Sequence, residues 1–113
     1  MVGLIEKSRK RRKLLLRELN DIMSQLRGSG AKKVVLFGSL VSGNVWSGSD
    51  IDLLVVMPSS KSGKMWRKEL KIDRNVALDL LVFSEEELEE ELKINRLVKK
   101  IMEEGVVLYE ERG

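Results

Sequence analysis

A glycine-serine pair, Gly38-Ser39, is followed after ten residues by Asp50-Ile51-Asp52, and a third acid, Asp79, stands in the apolar run from Val76 to Phe83. Each part has a plain chemical use. Glycine at a bend lets backbone N–H groups come close to an anion, because it has no side chain in the way and tolerates positive φ. Ser39 adds a hydroxyl donor, and a helical turn starting at Leu40 would aim its free amides at the same anion. Asp50 and Asp52, two apart on a strand, project to one face and repel each other unless a cation lies between them. Phosphoryl transfer uses such a pairing of an anion cradle with carboxylates that hold divalent ions.

None of these signals is specific alone. Gly-Ser is an ordinary turn, Asp-x-Asp is often a solvated strand end, and a lone Asp in a strand is often a solvent-facing position. Their order carries the inference: a strand, the turn, the acid pair opening the next strand, and the third acid on another.

The elements that must position these residues are legible. Leu15, Leu19, Ile22 and Leu26 line one face of a helix that ends at Gly28 and Gly30, and the stretch from Met1 to about Lys13 extends it with a weaker stripe and expected fraying. Lys33 to Phe37 reads as a buried first strand, Leu40 to Gly43 as a helical turn and Asn44 to Ser49 as a loop. Ile51 to Met57 is the second strand, stopped by Pro58. Ser59 to Lys71 reads as a basic helix with Trp66 packed on the sheet, and Val76 to Phe83 as the third strand, with Asp79 a costly acid to bury there. Ser84 with Glu87 forms a capping box for an acidic helix broken near Asn95, and Val106 to Tyr109 makes a short edge strand. The expected architecture is α/β (α+β), a small mixed sheet with helices packed on it. The first two strands should be antiparallel, since their connection is too short for a helical crossover.

Composition bounds the remaining choices. A chain of 113 residues, 42% hydrophobic and 35% charged, suits a single domain over 1–113, with 1–12 as a flexible basic extension. No apolar stretch reaches the roughly 20 residues of a membrane helix, so a cytoplasmic protein without membrane partners is expected. With no cysteine and no histidine, any metal must be held by oxygen, which favours Mg²⁺ or Mn²⁺. Dense charge and few amides suggest a thermophilic source. The net charge of +3 is modest, and the basic run Arg9 to Lys13 reads more simply as a solvated helix end than as a nucleic-acid contact.

At Gly38-Ser39, Asp50-Ile51-Asp52 and Asp79 the chain resembles the DNA polymerase β-like nucleotidyltransferase superfamily. With its ending Glu104-Gly105-Val106-Val107-Leu108-Tyr109, it looks most like the minimal nucleotidyltransferases of archaea and bacteria. The resemblance implies the nucleotidyltransferase fold and transfer of a nucleoside monophosphate, with ATP as the expected substrate, to an acceptor hydroxyl. Gly38 and Ser39 would hold phosphates, and Asp50, Asp52 and Asp79 would ligate two Mg²⁺ ions, with Asp79 serving the acceptor. It further implies a HEPN-type protein partner whose hydroxyl is modified, the chain acting as antitoxin. The alternatives are a module that only binds such a partner, or transfer to a small molecule such as an aminoglycoside, which would need a homo-oligomer to complete the site. One departure stands out. The residue after Gly-Ser is commonly arginine in this group and here is Leu40, so the chain is expected either to hold phosphate less tightly or to recruit Lys32, Lys33 or Lys64 instead.

Overall fold

The computed structural model describes residues 2–46 and 48–112, with the backbone alone at Val2 and Leu4. Met1, at the head of the expected basic extension, Ser47, in the expected loop before the acid pair, and Gly113 lie outside the described residues.

The chain runs α1 (Val2–Gly28), β1 (Lys33–Phe37), α2 (Ser39–Ser42), β2 (Ile51–Met57), α3 (Gly63–Glu69), β3 (Leu78–Ser84), α4 (Glu85–Ile94), α5 (Arg96–Glu104) and β4 (Val106–Glu110). The strands form one sheet in the order β3-β2-β1-β4. β1 pairs antiparallel with β2 and β4, and β2 pairs parallel with β3, so the sheet is mixed as expected.

β2, one of the two inner strands, decides the layering. Ile51, Leu53, Val55 and Met57 face one side, where Leu15, Leu19, Ile22 and Leu26 of α1 pack on them together with Val34 and Leu36. Leu54 and Val56 face the other side with Val35, under Val98 and Ile101 of α5 and Leu88 and Leu92 of α4. A strand covered on both faces has no polar alternation, which is why Ile51 to Met57 is apolar except at Asp52.

The helix boundaries follow from local chemistry. The basic segment expected to fray is continuous helix from Val2, since Lys, Arg, Glu and Leu are good helix formers and no proline interrupts them. At its other end Ser29 and Gly30 donate back to the last carbonyls, and Gly30, at φ 97°, turns the chain so that Ala31 is buried. The Ser84–Glu87 capping box opens α4. Asn95 both ends α4 and caps α5, its side chain accepting from the Leu97 and Val98 amides at 3.0 and 3.2 Å. β3 begins at Leu78, two residues later than the apolar run suggests, because Val76 leaves the sheet to fill the α1 side of the core. Trp66 packs against the sheet and donates its indole N–H to the Pro58 carbonyl at 2.9 Å. Among the described residues no helix is long and apolar enough to cross a membrane.

Ile22 is fully buried, so Ile22→Ala is expected to lower unfolding free energy by about 2–5 kcal/mol in urea titrations. Ser84→Ala, which removes the α4 cap, is expected to cost about 1 kcal/mol.

Candidate active site

All the residues singled out by spacing lie at one end of the sheet. β1 ends at Phe37, which pairs with Asp52 on β2, and Asp52 in turn pairs with Asp79 on β3. Pairing across neighbouring strands puts Asp52 and Asp79 on the same face, and Asp50, two residues earlier, approaches that face from the loop. The Gly38–Ser39 bend follows Phe37 directly, so the turn sits beside Asp52.

That closeness requires the glycine. Gly38 has φ 81° and ψ −150°, and a Cβ there would collide with the Asp52 carboxylate, its Cγ being 3.1 Å away. The Val41 and Ser42 amides both donate to the Gly38 carbonyl at 3.1 Å, leaving the Ser39 and Leu40 amides at the open start of the turn. α2 is one turn long, so these individual donors, with the Ser39 hydroxyl, matter more than any helix dipole.

The acids differ in exposure, and not as the sequence implies. Asp79 was the acid expected to be costly to bury, yet it is exposed near the start of β3, an edge strand of the sheet. Asp52 is the half-buried one. Burial first, then the charges of Asp79 and Asp50, push its carboxyl above the ordinary value. Asp50 is half exposed.

No three acidic side chains among the described residues stand close enough to form a ready-made cation cage. Like charges without a counter-ion spread apart, and Mg²⁺ sites commonly use one or two carboxylates completed by phosphates and water. The donors here are all oxygen, and the unrelieved charge at Asp52 suits a hard divalent cation.

The lysines expected to replace the missing arginine are misplaced for that work. Lys33 pairs with Val56 at the far end of β1, about 13 Å along the strand from Phe37. Lys32 and Lys33 are held there by Glu111 and Glu110 at 3.1 and 3.5 Å. Lys64 borders Val82, Phe83 and Glu86, again at the far end. Leu40 itself is buried in the α1-side core, where an arginine would have to leave the packing. Two cations not anticipated as site residues are nearer. Lys100 of α5 shares a cavity of about 380 Å³ with Phe37, Gly38 and Ser42. Arg11 of α1 forks onto the Ser49 carbonyl through Nε at 2.9 Å and Nη2 at 2.6 Å. The basic run containing Arg11 was visible in the sequence, but its contact 38 residues away was not.

The raised Asp52 value has a consequence for stability. The folded carboxyl keeps its proton to higher pH than the unfolded one, so it favours the fold below the ordinary aspartate range and opposes it above the raised value. Without divalent ions, Asp52→Asn is therefore expected to raise the thermal midpoint at neutral pH. The gain should shrink as pH falls through the raised value toward the ordinary 3.8, as a midpoint series against pH would show.

The family model of the nucleotidyltransferase domain matches residues 16–109. A crystal structure of a Sulfolobus solfataricus protein, described as a candidate nucleotidyltransferase, superposes with a TM-score of 0.62 at 18% identity, covering 93% of this chain and 88% of that one. At that identity the likeness speaks for the fold. No curated protein matches the chain. With the matched segment spanning the whole sheet, from within α1 to β4, the chain belongs to the nucleotidyltransferase domain family.

Proposed function

We propose that the protein transfers a nucleoside monophosphate, with ATP as the first donor to test, to a hydroxyl of a partner protein. The observation that carries this reading is Asp52, half-buried and flanked by Asp79 across the strand pair, against a glycine that has no room for a side chain. The acceptor oxygen would bond to the α-phosphorus as the bond from that phosphorus to the pyrophosphate oxygen breaks. Pyrophosphate would depart, and Asp79, exposed beside Asp52, would take the hydroxyl proton. The Gly38–Ser39 turn would hold the outgoing phosphates. Asp50, Asp52 and Asp79 would hold Mg²⁺, two ions in the full site, which neutralise charge on the phosphates.

An accessible site favours a large acceptor. Asp79 and Asp50 face solvent and Trp46 stands 62% exposed in the preceding loop. The described residues build one sheet with its helices and no separate lobe to enclose a small substrate. A HEPN-type toxin modified on a hydroxyl, with this chain as its antitoxin, is the partner that the resemblance suggests.

The test is label transfer from α-labelled ATP to the product of the adjoining reading frame in the presence of Mg²⁺. Asp50→Asn, Asp52→Asn and Asp79→Asn are each expected to reduce it about 10²–10³-fold or more. Tight binding without label, indifferent to these changes, would instead identify a binding module, and label on an aminoglycoside alone a small-molecule enzyme. Mg²⁺ with nucleotide should raise the thermal midpoint of the native chain and not of Asp52→Asn. Lys100→Ala is expected to raise KM for the nucleotide roughly tenfold, the loss of one charge-assisted phosphate contact, while Lys33→Ala leaves KM unchanged in the same initial-rate assay.

A further inference from the structure

We propose that Arg11 is a positioning residue for nucleotidyl transfer: its guanidinium clamps the Ser49–Asp50 peptide and thereby sets where the Asp50 carboxylate stands. The role rests on the reading of the acidic site given above.

Arg11 departs from its neighbours. Arg9, Lys10, Arg12 and Lys13 are exposed on α1, whereas the Arg11 side chain is only 20% exposed. It donates twice to one acceptor, the Ser49 carbonyl, and the same Nη2 lies 4.0 Å from Asp50 Oδ1. Ser49 is itself buried and closes a tight turn, its amide donating to the Trp46 carbonyl at 3.0 Å and its hydroxyl accepting from the Trp46 amide at 2.9 Å. On the other side Ile51 donates to the Ala77 carbonyl at 3.1 Å. Asp50 therefore sits between a residue pinned by α1 and a residue pinned by the segment leading into β3.

This clamp answers a mechanical difficulty. Asp52 is held by the sheet on both sides, but Asp50 precedes the strand and is repelled by Asp52. Left to electrostatics, it would move away from Asp52. A guanidinium that grips the adjacent carbonyl and stands 4.0 Å from the carboxylate opposes that movement without forming the close, bidentate pair that would occupy both carboxylate oxygens. A lysine carries the charge but lacks the rigid fork, so the geometry favours arginine.

The full-length chain with Arg11→Ala or Arg11→Lys tests this through two readouts. By hydrogen exchange, amides of 48–51 should exchange roughly tenfold faster in Arg11→Ala, with β1 and the rest of β2 unchanged. In transfer assays kcat should fall about 10- to 100-fold, while KM for the nucleotide, whose phosphates keep the Gly38–Ser39 turn and the ions on Asp52 and Asp79, moves less than about threefold. Arg11→Lys should recover less than half of the lost rate, and millimolar guanidinium should rescue Arg11→Ala where methylammonium does not. Faster exchange with native kcat would overturn the proposal and leave the reading of the site intact. Unchanged exchange, or a rate loss that follows the thermal midpoint and resists guanidinium, would also overturn it. Absence of transfer by the native chain would sink the reading of the site and this role together, whatever the exchange shows.

Discussion

A carboxylate on the inner strand of a sheet, with another carboxylate directly across the pairing, is the constraint around which this molecule is arranged. Asp52 stands where Leu54 and Val56 would predict another apolar side chain, and its neighbours Asp79 and Asp50 add charge instead of relieving it. Such a group lowers stability in the isolated chain, since desolvation and like charges both act against its ionised form. The rest of the fold compensates through a core that covers β2 from both sides. The cost is local to Asp52 and would be relieved by any cation that reached it.

Strand and helix types were legible because their patterns are local. The apolar run Ile51 to Met57 defines β2 to the residue, and Ser84 with Glu87 marks the start of α4 by hydrogen bonds three residues apart. The loss of helix between Ile94 and Arg96 was equally readable in Asn95. The spacing put Asp52 on the second strand and Asp79 on the third, and the sheet then makes those strands neighbours.

What depended on strand order and register was not legible. Asp79 is exposed because β3 is an edge, which no property of Leu78 to Ser84 reveals by itself. Lys33 looked close to the bend in sequence, yet a strand of five residues carries it to the opposite end of the sheet. Arg11 was hidden in a run of similar residues, and only its burial against Ser49 separates it from them. Such errors share a cause: sequence gives the kind of element, while the end of the sheet at which a side chain emerges is a property of the assembled layers.

The break at Asn95 divides one helical segment into two that differ in charge as well as direction. α4 sets Glu85 and Glu89 near Lys32 and Lys33, while α5 brings Lys100, with Glu104, to the Gly38 bend. The break therefore keeps the glutamates of α4 away from the end where Asp50 and Asp79 already act against the ionised form of Asp52. An unbroken run of glutamates reaching that end would add to the repulsion, and salt would screen only its exposed part.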